Sequence, residues 1–215
     1  MNEERDDHTL LRAWAEGEQA AGEALVARHV ATVHRFFHNK IPEAVPELSQ
    51  RTFLACLEAA TRFEGRSAFR TWLLGIAHHQ LLRHLREQQR DRSKQIDVQA
   101  HSIAALLERA PTSPTARIAR HHEHQALLAA LRGLPLQMQI LLELRYWEGL
   151  TVGAIAQVLE LVEGTVASRL HRARARLRDV LEDELGRERA ETTLRGLEGW
   201  AKGVAEQVPR KKSDG

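Results

Sequence analysis

The chain has 215 residues, a formal net charge of +2, an isoelectric point near 9.0 and 5% aromatic residues. That length holds one large or two small domains, and a basic isoelectric point beside so small a net charge points to cationic character concentrated in segments. A single cysteine, Cys56, excludes an internal disulfide and fits a reducing compartment. No apolar run approaches membrane-spanning length and the acidic start MNEERDDHTLL has no apolar signal core, so a cytoplasmic protein without membrane insertion is expected.

Helical periodicity runs from about Asp7 to Arg92, with breaks at Gly17, at Pro42 to Pro46 and at Glu64 to Arg66, which sets a first domain at 1–92. The pattern degrades between Ser93 and Ala119. Pro111-Thr-Ser-Pro114 marks a linker there (93–119), with one short helical turn at Ile103 to Leu107. Periodicity returns over a second domain at 120–185. An extension at 186–215 carries one more amphipathic stripe, Leu194, Leu197, Trp200, Ala201 and Val204, suited to docking on one of the two domains or on a partner. No alternating strand pattern bounded by turn residues occurs. The expected fold is all-α, two small helical domains joined by a flexible linker.

In the first domain, Ser67 can cap a helix on which Phe69, Trp72, Leu73, Ile76 and Ala77 share one face. Arg70, His78, His79, Arg83, His84, Arg86 and Arg90 decorate its flanks. Aromatics beside cations on one helix suit single-stranded nucleic acid, with stacking for unpaired bases and charge for the backbone. In isolation Phe69 and Trp72 read better as core, and the nucleic-acid reading gains weight from a helix-turn-helix pattern in the second domain.

In that second domain, Val152, Ile155, Ala156 and Leu159 form the apolar face of one short helix, and Val166, Leu170, Ala173 and Leu177 a narrow stripe on the next. Arg169, Arg172, Arg174, Arg176 and Arg178 crowd the rest of that second helix, with no acidic residue between Gly164 and Arg178. Two helices joined by a few residues, the basic one second, make a helix-turn-helix. Guanidinium groups on such a helix reach both phosphates and guanine edges in a major groove. The bland reading is a solvated arginine face, which the missing acidic counter-residues disfavour.

The run Arg120-His-His-Glu-His124 invites a zinc reading, but without a cysteine pair or a second cluster an exposed helix start is the better account, and no metal or other cofactor is expected. No nucleophile–base constellation or phosphate-cradling glycine loop occurs, so there are no candidate catalytic residues and no enzyme is expected.

Glu47-Leu-Ser-Gln-Arg-Thr-Phe53, followed by Arg62-Phe-Glu-Gly-Arg-Ser-Ala-Phe-Arg-Thr-Trp-Leu-Leu-Gly-Ile-Ala77, resembles the second region of bacterial sigma factors of the extracytoplasmic-function (ECF) class. Gly164-Thr-Val-Ala-Ser-Arg-Leu-His-Arg-Ala-Arg174 resembles the recognition helix of their fourth region. The likeness covers about Thr9 to Arg90 and Ala126 to Leu181, in the right order. It implies a subunit that binds core RNA polymerase, recognises minus-thirty-five and minus-ten promoter elements and promotes melting. Core polymerase and promoter DNA are the implied partners, with an anti-sigma factor a further candidate.

The resemblance also implies roles. Glu47, Leu48, Gln50 and Phe53 match the motif that grips the polymerase clamp, and helical spacing lets Gln50, Phe53 and Leu54 share a face; core packing is the competing reading of Phe53. Phe63 to Phe69, including Arg66 and Ser67, matches the loop that captures a flipped minus-ten base, with Trp72 and His79 near that pocket and Arg70 and Arg83 beside it. Thr165, Ser168, Arg169, His171, Arg172 and Arg174 match positions facing minus-thirty-five DNA. The chain departs from the family pattern at His79 (commonly Asn), Ala154 (usually acidic), Glu160 (the turn glycine) and Val162 (polar or proline). Two other readings stand beside the sigma factor: a helix-turn-helix regulator acting without polymerase, and a helical interaction module that has lost DNA binding.

Overall fold

The computed structural model describes residues 5–94 and 126–197. The proline-marked linker, the short turn at 103–107, the histidine run at 120–124, Trp200, Ala201 and Val204 lie outside the described residues. Every regular element among the described residues is an α or 3-10 helix, in accord with the all-α expectation.

The first half contains α1 (Asp7–Ala15), α2 (Gln19–His38), α3 (Val45–Glu58) and α4 (Phe69–Lys94). Asp6 caps α1 by accepting from the Thr9 N–H at 2.7 Å, and that bond holds its carboxyl below the usual aspartate range. The turn into α2 passes through Gly17 at φ +100°, a left-handed conformation that glycine adopts without strain. On α2, a Cβ at Gly22 would overlap the Trp14 indole, so glycine is what lets α1 lie close. A 3-10 turn, Pro42–Ala44, separates α2 from α3, with Pro46 in the first turn of α3, where a missing N–H costs nothing. Leu25, Val33, Phe37, Leu48, Cys56, Leu73, Leu74 and Leu81 are fully buried between these helices. Burial pushes the Cys56 thiol up to about 12, leaving it inert as a nucleophile.

The second half holds a helix over 126–133 (α5), then α6 (Leu136–Tyr146), α7 (Val152–Leu159), α8 (Glu163–Leu185) and α9 (Arg187–Arg195). Ala190, Leu194 and Leu197 join Ala173, Leu177 and Leu181 of α8 and Leu127 and Leu131 of α5 in one buried cluster. The described part of the C-terminal extension is therefore integral to the second half's core.

The two halves are packed together. Ile140, Leu141, Leu144, Leu150, Ile155, Val158 and Leu159 belong to the same apolar cluster as the core of α1–α4, and α7 lies along α4. A Cβ built on Gly75 of α4 would stand 3.9 Å from the Val158 Cα, ordinary van der Waals contact, so α7 passes directly against this position. Helical periodicity reports which face each helix buries, not which partner it meets. That is why the sequence yields the two helical domains but not the apolar contact between them.

Candidate nucleic-acid interface

The helix-turn-helix is built from its caps inward. Thr151 accepts from the Ala154 N–H at 3.1 Å to start α7. Glu160 ends it in a left-handed conformation (φ 53°, ψ 46°), with the Leu161 N–H returning to the Ala156 carbonyl at 2.9 Å. Glu160 is the one non-glycine residue with positive φ among those described, at the position where the resemblance calls for glycine. Val162, extended and 72% exposed, leads into α8 and gives it no side-chain cap, as an aliphatic residue must.

On α8 the stripe Val166, Ala173, Leu177 and Leu181 is buried and Leu170 half-buried. Thr165, Ser168, Arg169 and Arg172 follow one another at helical spacing on another face. Ser168 and Arg172 there are exposed, as are the neighbouring His171 and Arg174, while Thr165 and Arg169 are half-buried. Among the described residues Arg172 makes only a long contact, 3.4 Å, to the Ser168 hydroxyl, so its guanidinium is not committed to a strong partner there. An open cleft of about 420 Å³ runs between α8 and α9, lined by His171, Arg174 and Arg178 from one side and Glu191 and Arg195 from the other.

The expected minus-ten residues fall into two groups. Phe63 and Phe69, expected on the nucleic-acid side, are 8% and 5% exposed. Their rings meet edge to face at 5.7 Å, and Trp72 lies 4.8 Å from Phe63 and 5.8 Å from Phe69. His8 and His29 close the cluster at 5.6 and 5.0 Å. The expected nucleic-acid contact is corrected for both phenylalanines: such a cluster gains more from burial than from an open face, so they anchor the two ends of the loop. Between them Glu64, Gly65, Arg66 and Ala68 are exposed and Ser67 half-buried, forming the presented tip. Helix α4 starts with the Thr71 and Trp72 N–H groups bonded to the Ala68 carbonyl. A groove of about 450 Å³ opens beside the loop, bordered by His8, Arg12, Thr61 and Phe63. Trp72 keeps part of its ring exposed, and Arg83 is exposed but paired with Glu87 at 2.8 Å.

Arg70 and His79 have partners from the other half of the chain. Arg70 donates through Nη1 to the Glu148 carbonyl at 3.0 Å and through Nη2 to the Glu148 carboxylate. His79 Nε2 lies 3.1 Å from Glu160 Oε1. Arg35 donates from Nε and Nη2 to the two Glu148 oxygens at 2.8 and 3.2 Å, and Lys40, fully buried, pairs with Glu143. None of these four partners, Arg35, Lys40, Glu143 and Glu148, is legible in the sequence, because their pairs join residues 78 to 113 positions apart.

On α3, Glu47, Gln50 and Leu54 are exposed, Leu54 to 52%, whereas Leu48 is fully buried and Phe53 is 8% exposed. The expectation that Phe53 shares the exposed face is corrected. It falls with Ser49, Thr52 and Cys56 on the buried side, and Glu47, Gln50, Arg51 and Leu54 make the outer stripe. Arg51 ties that stripe to α4, reaching Glu47 at 2.7 Å and Glu87 at 3.1 Å. Hydrogen bonds from Arg83, which contributes most, and from Arg51 hold the Glu87 carboxyl below the usual glutamate range.

Residues 25–91 match the family model for sigma-70 region 2 and residues 124–177 that for sigma-70 region 4. The ECF RNA polymerase sigma-E factor of Escherichia coli K12 is 31% identical over 181 residues, covering 81% of this chain and 93% of that protein, as is its counterpart from Salmonella typhimurium. This chain belongs to the sigma-70 family, as an ECF sigma factor. Like its family it associates with RNA polymerase and binds DNA in transcription, which sets aside the regulator acting without polymerase. Of solved structures, CnrH in complex with the cytosolic domain of CnrY is similar at 28% identity, with a TM-score of 0.54 over 82% of this chain and 97% of that one. RpoE of Bartonella quintana, co-crystallised with the anti-sigma factor NepR, shares the fold at 21% identity and a TM-score of 0.55, over 74% of this chain and 92% of that one. No described helix of this sigma factor is long and apolar enough to cross a membrane.

Proposed function

We propose that this sigma factor binds core polymerase through Glu47, Gln50 and Leu54, reads an upstream promoter element with α8, and opens a minus-ten element with the 63–69 loop and α4. The observation that carries the reading is α8 itself. One face is packed into the core while Ser168, His171, Arg172 and Arg174 stand in solvent, in a chain whose α3 also presents an exposed leucine flanked by polar residues. Thr165, Ser168, Arg169, His171, Arg172 and Arg174 form the upstream set, with direct readout assigned to Arg172 and phosphate contact to Arg169 and Arg174. Arg66 and Ser67 at the loop tip, the exposed part of Trp72, and Arg70, His79 and Arg83 on α4 form the downstream set. The groove beside Phe63 supports capture of one unstacked base, since extrusion exposes edges that a duplex hides. Leu48, Phe53, Phe63 and Phe69 support these surfaces from beneath.

An anti-sigma factor is a further proposed partner, because the similar CnrH is solved bound to another protein's cytosolic domain. The domain division at 1–92, 120–185 and a separate extension is proposed with one amendment: residues 186–197 belong with the second half. Permanganate footprinting with core polymerase on a randomised promoter library tests the proposal. Selection of promoters with a reactive minus-ten region supports it, and binding of upstream duplex without any opening contradicts the melting role.

A further inference from the structure

We propose that the cleft between α8 and α9 grips the sugar–phosphate backbone beside the upstream element, making the start of the C-terminal extension part of the DNA-binding surface. The inference rests on the reading of α8 as the upstream helix. It concerns a segment that the match to sigma-70 region 4, residues 124–177, does not reach.

The turn at Gly186 (φ 78°) sends α9 back along α8, where Ala190, Leu194 and Leu197 fix it against Ala173, Leu177 and Leu181. Arg195, at the end of α9, is thereby brought to the cleft that His171, Arg174 and Arg178 line from α8. Glu191 is the one acidic residue of that lining. It holds Arg195 only loosely, at 3.8 Å, and is shared with Arg187 at 3.9 Å. The three arginines are exposed and the cleft is open. Small-molecule sites bury most of their ligand. An open row of guanidinium groups suits instead an extended polyanion, met one phosphate at a time.

The position of the cleft identifies that polyanion. At 3.6 residues per turn, Arg169, Arg172 and Arg176 run down one flank of α8, and His171, Arg174 and Arg178 down the other. Ser168 stands exposed between the two rows, and the buried stripe lies opposite. A helix about 10–12 Å across fills a major groove about 12 Å wide, so each flank faces one backbone wall. The 23 residues of α8 span about 35 Å, so its C-terminal half runs on past the groove that its first turns enter. Helix α9 adds a cation to one flank of that half. The footprint therefore extends beyond the element at one end and on one strand.

The full-length chain tests this on upstream duplexes that the wild type selects from a randomised library, with a helical turn of unselected flank at each end. Arg195→Ala should weaken binding at least about threefold at low salt, evenly across sequences, and lower the slope of log K against log salt by about 0.9, one phosphate contact. Adding Arg178→Ala should bring that fall to about 1.8. The Arg195 side chain is 76% exposed, so circular dichroism should stay that of the wild type. Arg189→Ala removes an equal charge from another exposed face of α9 and should leave the slope unchanged. Trimming the flank at one end, and not at the other, should erase the difference between wild type and Arg195→Ala. An Arg195→Ala chain with the wild-type slope, a loss shared equally by Arg189→Ala, or a deficit that survives trimming of either end overturns the inference. A wild type that binds no upstream duplex sinks the reading of α8 first and takes this inference with it.

Discussion

Arg35 holds Glu148 through two parallel N–H donors, at 2.8 and 3.2 Å, across 113 residues of sequence. The pair is forked, buried and shared with Arg70. Burying a carboxylate is costly unless charge and hydrogen bonds compensate it. The two halves are thus joined by contacts that depend on correct alignment as well as on apolar area.

The neighbouring pair gives a stability test. Lys40 is fully buried against Glu143, with its ammonium 4.2 Å from the Phe36 ring centroid. Lys40→Met alone leaves a buried carboxylate uncompensated and should cost about 3–5 kcal/mol. Lys40→Met with Glu143→Leu should recover most of that loss. Urea midpoints of the two singles and the double measure it. Additive losses contradict the coupling.

Glu160 sits at φ 53°, where a side chain costs roughly 1–2 kcal/mol that glycine avoids. Its exposed pair with His79 offsets at most about 1 kcal/mol. Glu160→Gly should therefore be neutral to about 1 kcal/mol more stable, seen as an unchanged or raised Tm. A lowered Tm contradicts the assignment of strain.

His78 makes the packing sensitive to acid. It is 6% exposed, its Nε2 has no hydrogen-bond partner among the described residues, and its pKa is lowered to about 4 by burial and then by neighbouring His79. Lys40 also disfavours its charge, and Glu160 favours it. Above its ordinary value of 6.5 the ring is neutral folded or unfolded and adds no pH dependence. As pH falls from 6.5 towards about 4, the exposed ring takes up a proton that the buried one refuses, so stability should decline across that window. His78→Leu should flatten the decline in urea midpoints between those limits. An identical pH profile for the variant contradicts it.

Much of the fold is legible in the sequence, and the misses share a cause. Breaks at Gly17, Pro42–Pro46 and Glu64–Arg66 coincide with the observed turns, because glycine and proline act through local backbone geometry. The α8 stripe and its exposed arginines follow from spacing alone. The expected exposure of Phe53 and Phe63 comes from the role the resemblance carries, and their burial depends on which neighbours surround them, as the His8–Phe63 contact shows. The Glu148 clamp has no local signature at all, since a glutamate after a tryptophan reads as surface until Arg35 and Arg70 are brought to it.

Readout of the upstream element separates two arginines on α8. Arg172→Ala should cost about 1–3 kcal/mol and relax preference at one base position. Arg169→Ala should weaken binding evenly across sequences and flatten the salt dependence. Selection from a randomised upstream library, repeated at several salt concentrations, distinguishes them. An unchanged preference for Arg172→Ala together with an altered one for Arg169→Ala reverses the assignment.

The exposed stripe of α3 is proposed to dock this chain on polymerase. Co-purification of the full chain with core RNA polymerase, for the wild type and for Gln50→Ala with Leu54→Ala, measures it directly. Both residues are exposed, so the double variant should keep the wild-type circular dichroism and Tm, whereas Phe53→Ala should lose about 3–5 kcal/mol of stability. Stoichiometric complex is expected from the wild type and none from the folded double variant. A folded double variant that still co-purifies with polymerase, or a wild type that never does, contradicts it.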